Sequence, residues 1–286
     1  MSGLARPELL ATTEWLGEQI GRSGIRILDA RWRPDGRGAD VHRAGRIPGS
    51  VHVDWRTELI DTDESGEALR LASPERVAAA AERLGIGDGT TVVIYDDTRS
   101  LFAARVWWTL RAYGMESVRI LDGGFPAWED EGRPVTRSVL EPGLPSWTLP
   151  ARFTPRGPNR LLLTTADVQG LLLSPDVTLL DARAPAEYHG LEGNTRRLGH
   201  IPGAVNVPVG GMHDGGSQRL RDGAGLRDRL HAANVSRGRR MVTYDGSGVS
   251  AAKLAFVLTL LGHEDVAVYD GGWAEWGNRL DLPVDR

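Results

Sequence analysis

The sequence contains no cysteine among its 286 residues. Without a thiol the chain forms no disulfide, offers no thiolate to a metal, and cannot run a reaction that needs its own sulfur nucleophile. It also lacks an apolar run long enough to span a bilayer, and its start, MSGLARPELLATTEWL, lacks the basic and apolar regions of a signal peptide. We therefore expect a cytoplasmic protein with no membrane partner.

Strong charge of either sign is absent as well. The formal net charge is −4 and the arginines are scattered, so the sequence predicts no nucleic-acid partner. The histidines His42, His189, His200 and His213 show no metal-ligand spacing with one another, and we expect neither a metal nor a cofactor. With 41% hydrophobic and 25% charged residues, the composition is that of a globular protein with one large core or two ordinary ones.

What the sequence does contain is an internal repeat. Four segments recur in the same order about 150 residues apart: ILDAR as LLDAR, RIPGSVHV as HIPGAVNV, VVIYDD as MVTYDG, and ILDGGFPAW as VYDGGWAEW. The chain is therefore one domain present twice. We place the first copy at 1–135, a proline-rich linker without periodicity at 136–160, and the second copy at 161–286.

Each copy alternates short apolar strands with helical stretches, which predicts an α/β fold with a mainly parallel sheet flanked by helices. In such sheets ligands bind at the carboxyl ends of strands, often where loop N–H groups and a helix N-terminus attract an anion. The loop DGSGVS follows the strand that ends at Tyr244 and begins with Asp245; its counterpart begins with Asp96.

The paired DAR and IPG(A/S)V motifs, the strand-loop-helix units and the DGG(F/W)xxW closings resemble a tandem-domain rhodanese of the thiosulfate and mercaptopyruvate sulfurtransferase type. The resemblance covers essentially the whole chain. It implies a degenerate first domain, a catalytic second domain and an active site at their interface. In that family the loop matching DGSGVS opens with a cysteine that carries sulfur as a persulfide, and here this position is Asp245.

A carboxylate is a hard oxygen anion that cannot hold a transferable sulfane sulfur, so Asp245 cannot replace the cysteine. Two further positions depart from the family pattern. Glu187 stands nearest to an arginine that helps to hold an anionic substrate, and Arg46 stands where mercaptopyruvate-type enzymes have a histidine linked to the active site. His200, the matching histidine of the second domain, is retained.

Two interpretations of Asp245 stay open: it caps the loop and the following helix, or it binds or acts on a ligand. Several N–H donors would favour its ionised form, whereas a nearby Glu187 would oppose it. The candidate catalytic residues are Asp245, Glu187 and His200. Ser247 and Ser250 are more often backbone caps than ligand contacts, and Lys253 is more often a solvated charge than a pocket cation. The candidate substrate-binding residues are Gly246, Ser247, Gly248, Val249, Ser250, Arg46, Arg183 and Lys253.

Other repeated residues have structural interpretations. We expect Asp29 and Asp181 to make structural hydrogen bonds, Arg31 and Arg183 to tie loops or domains together, Asp122 and Asp270 to serve as turn residues, and Trp128 and Trp276 to be core or interface aromatics. A rhodanese-fold phosphatase would need a cysteine and an arginine in the loop, but Ala251 stands at the arginine position.

Three functions follow. The chain is an enzyme that uses Asp245 for acid-base or electrostatic catalysis on a small molecule in the interdomain cleft, or a pseudoenzyme that binds a metabolite or protein, or, from fold alone, a sulfurtransferase. Two carboxylates in the cleft would favour a cationic or neutral ligand over thiosulfate. The sequence identifies no protein partner.

Overall fold

The computed structural model describes residues 2–62, 69–137, 151–172, 174–235 and 239–286. Two five-stranded parallel sheets form its framework, one in each half of the chain, and a separate antiparallel strand pair accompanies the first sheet. Among the described residues, no helix is long and apolar enough to cross a membrane.

The first domain begins with a 3-10 turn at Pro7–Leu9. Its further elements are β1 Leu10–Ala11, α1 Thr13–Gln19, β2 Ile25–Asp29, α2 Gly38–Ala44, β3 Ser50–His52, α3 Trp55–Glu58, β4 Ile60–Thr62, β5 Leu69–Leu71, α4 Pro74–Arg83, β6 Thr91–Tyr95, α5 Leu101–Ala112, β7 Val118–Leu121 and α6 Gly124–Asp130. The sheet order is β1-β7-β6-β2-β3, and β4 and β5 form the separate antiparallel pair.

The second domain repeats this plan with different loop lengths and a 3-10 turn at Val209–Met212. Its elements are β8 Leu162–Leu163, α7 Thr165–Leu171, β9 Val177–Asp181, α8 Pro185–Tyr188, β10 Val205–Asn206, α9 Gly223–Ala232, β11 Arg240–Tyr244, α10 Val249–Leu260, β12 Val266–Tyr269 and α11 Gly272–Trp276. Its sheet order, β8-β12-β11-β9-β10, matches that of the first domain strand for strand.

The predicted α/β fold with two tandem parallel sheets is confirmed. In β6 and β11, the central strands, the last four residues are buried, as expected of strands covered on both faces. The edge strands β1 and β8 have only two residues each, too few for a periodic signal in the sequence. Trp128 and Trp276 are fully buried, in agreement with their predicted place in the core.

The two domains pack through α5 and α10, which lie against each other at the centre of the molecule. Neither helix has a polar face, and almost every residue of each is buried. The indole of Trp107 meets the ring of Phe256 edge to face, with centroids 5.0 Å apart. The largest apolar cluster includes residues of both domains, so the core is continuous across the interface.

The domain boundaries proposed above stay a prediction. Within the predicted linker, residues 138–150 lie outside the described part of the chain. The described part, 151–160, runs along the first domain: Asp88 N donates to Arg152 O at 3.1 Å and Asn159 N to Ala112 O at 2.9 Å. Phe153 is buried there.

Candidate functional site

Asp245 lies in the turn between β11 and α10 and points its carboxylate back into that turn. Its Oδ1 accepts hydrogen bonds from Ser247 N, at 3.2 Å, and from Gly248 N. Its Oδ2 accepts one from Ser250 N at 2.9 Å. The side chain of Asp245 therefore occupies the anion-binding position that the loop N–H groups create. An external anion would have to displace it.

The environment of Asp245 shifts its acidity. The residue is only 5% exposed, and burial raises the pKa of its carboxyl. The three N–H groups and the positive charge of Arg105 act in the opposite direction, yet the net pKa shift is upward. The hydrogen bonds from the loop would by themselves lower the pKa of Asp245 and make its carboxylate a weak base. Desolvation raises this pKa by more than the hydrogen bonds lower it.

Arg105 comes from α5 of the first domain and reaches the Asp245 loop across the interface. Its Nη1 donates to Gly248 O at 3.0 Å and to Asp270 Oδ1 at 2.5 Å. Its Nε and Nη2 are buried without a partner in the structure, and its guanidinium stacks on Trp108 at 4.7 Å. The backbone of Gly248 has φ +82°, and a Cβ atom there would overlap both Arg105 and Asp270. This close approach requires glycine.

The two aspartates of the DGG motifs also bind across the domain interface. Asp270 accepts from Arg105 and, through Oδ2, from Leu71 N at 2.5 Å. Asp122 accepts from Leu220 N at 3.0 Å and lies 3.7 Å from Arg219 Nη1. The interpretation of Asp122 and Asp270 as turn residues was therefore incomplete, because each holds a segment of the other domain.

Asp96 in the first domain repeats the geometry of Asp245 with one difference. Its Oδ1 accepts from Thr98 N and Ser100 N, and its Oδ2 from Phe102 N and Ala103 N, all at 2.9 to 3.0 Å. Oδ2 of Asp96 thus takes two N–H groups, whereas Oδ2 of Asp245 takes one. A carboxylate oxygen has room for two, so one acceptor position of Asp245 takes no N–H group from the described residues.

The surroundings of the two loops differ as well. Trp32, Trp55 and Phe102 pack together beside the Asp96 loop, with ring centroids 5.4 to 5.8 Å apart. In the repeat the corresponding positions are Ala184, Val209 and Ser250. Of these, Ala184 is exposed and Ser250 is half-buried. Small side chains therefore border Asp245 where aromatic rings border Asp96.

The model of the rhodanese-like domain matches residues 12–131 and again 164–279, which covers most of both domains. The chain belongs to the rhodanese family.

Curated rhodanese relatives extend over nearly the whole chain. A putative thiosulfate sulfurtransferase, SseB, of Mycobacterium tuberculosis is 37% identical and covers 99% of this chain and 98% of its own. The 3-mercaptopyruvate sulfurtransferase of Escherichia coli K12 is 35% identical, with coverage of 95% and 96%. The crystal structure of SseA from Escherichia coli, a 3-mercaptopyruvate sulfotransferase, superposes with a TM-score of 0.81 at 28% identity and covers 93% of this chain and 98% of its own.

Three residues proposed around Asp245 in this rhodanese have other partners. Glu187 accepts a hydrogen bond from Ala184 N at 3.4 Å, at the start of α8. His200 donates through Nδ1 to Tyr188 O at 2.9 Å and stacks on the Tyr188 ring at 3.8 Å. Arg46 is buried in the first domain, where its Nη1 lies 3.5 Å from His42 O. Their roles at a common site stay predictions.

Arg183 is engaged within its own domain. Its guanidinium forms a two-pronged ion pair with Asp181, at 2.6 Å for the shortest contact, and donates to Gly199 O at 2.8 Å. In the first domain Arg31 binds Asp29 and Gly45 O in the same way. These contacts agree with the loop-tying role expected for both arginines and leave the substrate-binding role of Arg183 a prediction.

Lys253 is only 4% exposed, so its interpretation as a solvated charge was wrong. Lys253 lies in the second turn of α10. Burial lowers the pKa of its ammonium group to about 8. The sequence did hold a signal for this: because α10 has no polar face, a lysine within it must be buried. The same reasoning would have found Arg105 in α5.

The remaining loop residues act through the backbone. Ser247, Gly248 and Ser250 each give an N–H to Asp245, as the capping interpretation of Asp245 expected, and the roles proposed for the two serine side chains stay predictions. Gly246 is half-buried and Val249 begins α10. Among the described residues, no group of three His, Asp or Glu side chains is arranged to hold a metal ion.

Proposed function

We propose that this rhodanese has lost persulfide transfer and that Asp245 acts on a small molecule at the domain interface by acid-base or electrostatic catalysis. The loss follows from chemistry, since the chain has no sulfur nucleophile and a carboxylate oxygen cannot carry sulfane sulfur.

The observation that carries the catalytic part is the acceptor position left on Asp245 Oδ2. A substrate proton taken up there would convert the carboxylate to the acid and later return to product or water. Burial raises the pKa of Asp245, which makes the carboxylate a better base than an exposed aspartate. Ala184 and Ser250 beside Asp245 are smaller than Trp32 and Phe102, their counterparts beside Asp96, which supports a ligand at the second loop rather than the first.

The charge of the loop limits the ligand class. A dianion such as thiosulfate would meet repulsion on the order of a kcal/mol or more from the buried carboxylate. We therefore propose a cationic or neutral small molecule in the interdomain cleft. Glu187 and His200 stay as proposed auxiliary groups, and the cytoplasm is the proposed location.

The first test concerns sulfur transfer. Incubation of the purified protein with thiosulfate or 3-mercaptopyruvate should leave its mass unchanged, and added cyanide should release no thiocyanate. Asp245→Cys should gain a persulfide, because the loop N–H groups that bind the carboxylate would also stabilise a thiolate. Asp96→Cys, in the aromatic-bordered loop, is the matched control. Thiocyanate production by the wild type would contradict the proposal.

The second test concerns turnover. A panel of amines, imidazoles and amino acids, scored by thermal shift and then by mass spectrometry for products, should yield a ligand that is consumed. Asp245→Asn should abolish product formation while the circular dichroism spectrum is retained. Undiminished turnover in this variant would exclude a catalytic Asp245.

A non-catalytic binding protein is the second candidate, and the similarity of the Asp245 and Asp96 carboxylates favours it. If both are purely caps, the interdomain cleft binds a metabolite or protein without chemistry. The same panel then separates the two functions, since thermal shifts without any product would support the binder and product formation would contradict it.

A further inference from the structure

A small cavity lies between the two domains, away from the Asp245 loop. Its volume is about 40 Å³, which is space for about three water molecules or a ligand of similar size. Val266 on its wall begins β12, whereas Asp245 follows the end of β11, the parallel neighbour of β12. The cavity therefore lies at the opposite edge of the sheet from Asp245.

Two tryptophans of α5 form part of the wall, and both are held in place. Trp107 meets the ring of Phe256 on α10 edge to face. Trp108 Nε1 donates to Leu161 O at 3.2 Å, and Leu161 also lines the cavity. Both indoles are buried. Because contacts with the rest of the protein fix these rings, a ligand would not have to order this part of the wall.

Two arginines also line the cavity, and their guanidinium groups repel each other. Arg111, near the end of α5, is half-buried, and its Nη1 donates to Glu116 O at 3.2 Å. Burial and the charge of Arg6 lower the pKa of Arg111. Arg6 has an ion pair with Glu8 at 3.0 Å, but Arg111 forms none with the described residues. A guanidinium has more N–H groups than these contacts use, so both arginines keep donors for a ligand.

Glu264 adds a negative charge to the wall of the same cavity. In the part of the chain that the structure describes, Glu264 forms no ion pair with Arg6 or Arg111. Thr259 Oγ1 on the wall donates to Ala255 O at 2.8 Å, which leaves its lone pairs as further acceptors. Opposite charges thus border one cavity without neutralising each other.

We propose that this cavity binds a small zwitterion, the carboxylate and ammonium groups of a free amino acid. The guanidinium groups of Arg6 and Arg111 donate to the carboxylate, and Glu264 accepts from the ammonium group. The volume of the cavity limits the enclosed ligand to glycine or to the head of a larger amino acid. This site is separate from the proposed function of Asp245 and does not depend on it.

The mixed charges of the wall disfavour simpler ligands. An anion such as acetate would contact the arginines but leave Glu264 unmatched, and an amine such as methylamine would meet the repulsion of two guanidinium groups. Glycine joins a carboxylate and an ammonium group in one molecule, so its second contact forms without the cost of a second association. We therefore expect glycine to bind more tightly than either of its halves.

NMR titration with glycine tests the proposal directly. In protein labelled with 15N-tryptophan, the indole N–H signals of Trp107 and Trp108 should shift and then saturate as glycine is added, because both rings line the cavity. Glycine should bind at least about tenfold more tightly than acetate or methylamine. Equal affinities for glycine and acetate would indicate a simple anion site, and unchanged indole signals would indicate no site. Either result would overturn the proposal.

Variants of the charged residues provide the second measurement. Arg6→Met and Arg111→Met should each weaken glycine binding about tenfold or more, because each removes a charged donor to the carboxylate. Glu264→Gln should weaken glycine binding severalfold without weakening acetate binding. The exposed Arg22→Met, outside the cavity, is the matched control and should bind as the wild type does.

The test does not depend on the half-buried Arg111 alone. Glu264 is exposed and the Arg6 side chain is 40% exposed, so Glu264→Gln and Arg6→Met should fold. Glycine affinity equal to that of the wild type in both variants would place the bound glycine elsewhere and would also overturn the proposal.

Discussion

The Asp96 loop is closed by aromatic rings and by four N–H groups on its carboxylate, whereas the Asp245 loop has small neighbours and three N–H groups. The cations from the other domain differ too. Arg105 at the Asp245 loop forms an ion pair with Asp270, whereas Lys253 forms none with the residues that the structure describes. The backbone N–H groups therefore fill two acceptor positions on each oxygen of Asp96. At Asp245 they leave one acceptor position of Oδ2 unfilled. This contrast underlies the proposal that Asp245 binds a ligand.

The largest effect is expected from the interdomain tie at the Asp245 loop. Arg105→Ala would leave Asp270 buried without its cation and should lower the free energy of unfolding by about 3 to 5 kcal/mol. Urea denaturation followed by tryptophan fluorescence measures this. A loss below about 1 kcal/mol would mean that the buried pair contributes no more than a surface one.

Exchange of the two loop carboxylates for amides tests the difference in N–H contacts. An amide NH2 replaces one acceptor oxygen, so Asp96→Asn loses two bonds and should cost about 3 kcal/mol. Asp245→Asn loses one bond if the NH2 group takes the Oδ2 position and should cost about half as much. Urea denaturation of both variants gives the values, and equal costs would remove the proposed distinction between the loops.

His213 introduces an acid-sensitive element that the first domain lacks. Burial and neighbouring cations lower its pKa in the folded protein to about 3, against about 6.5 for an unperturbed histidine, so between these values the unfolded chain binds the extra proton. The stability that neutral His213 provides is complete above about pH 6.5 and is lost as the pH falls towards 3, at about 1.4 kcal/mol per pH unit.

His213 pairs with Leu220 as Ile60 pairs with Leu71 in the first domain, so His213→Ile copies the first domain and should remove this slope. Relative to their difference at pH 7, the variant should gain about 2 kcal/mol over the wild type at pH 5. Urea denaturation in phosphate-free buffer at several pH values measures the difference. Parallel stability curves for the two proteins would show that His213 is not the responsible group.

The smallest effect is expected at the tie beside Asp96. Arg219 is 37% exposed and lies 3.7 Å from Asp122, so Arg219→Ala should cost less than about 1 kcal/mol. Together with Arg105→Ala it compares a buried interdomain ion pair with the more exposed pairs that Arg219 forms with Asp122 and Glu131. A cost above that of Arg105→Ala would reverse the order of the two ties.

The sequence predicted much of this molecule because the repeat and the buried strands are local patterns. It identified Asp245 and its loop donors for the same reason, since all of them lie within six residues. Pairs across the interface were missed: Arg105 and Asp270 are 165 residues apart, and no periodicity connects them. The burial of Lys253 could have been predicted from the sequence, because a helix without a polar face has no solvent-exposed side for a lysine.

The crossing of α5 and α10 places a cation of each half beside the loop of the other half. A duplicated domain begins as two interchangeable parts, but Arg105 now neutralises an aspartate that belongs to the opposite copy. Separating the halves would leave Asp270 without a counter-ion and would uncover the rings of Trp107 and Phe256. We therefore expect the two copies to fold as one unit, and neither copy to be stable when it is produced alone.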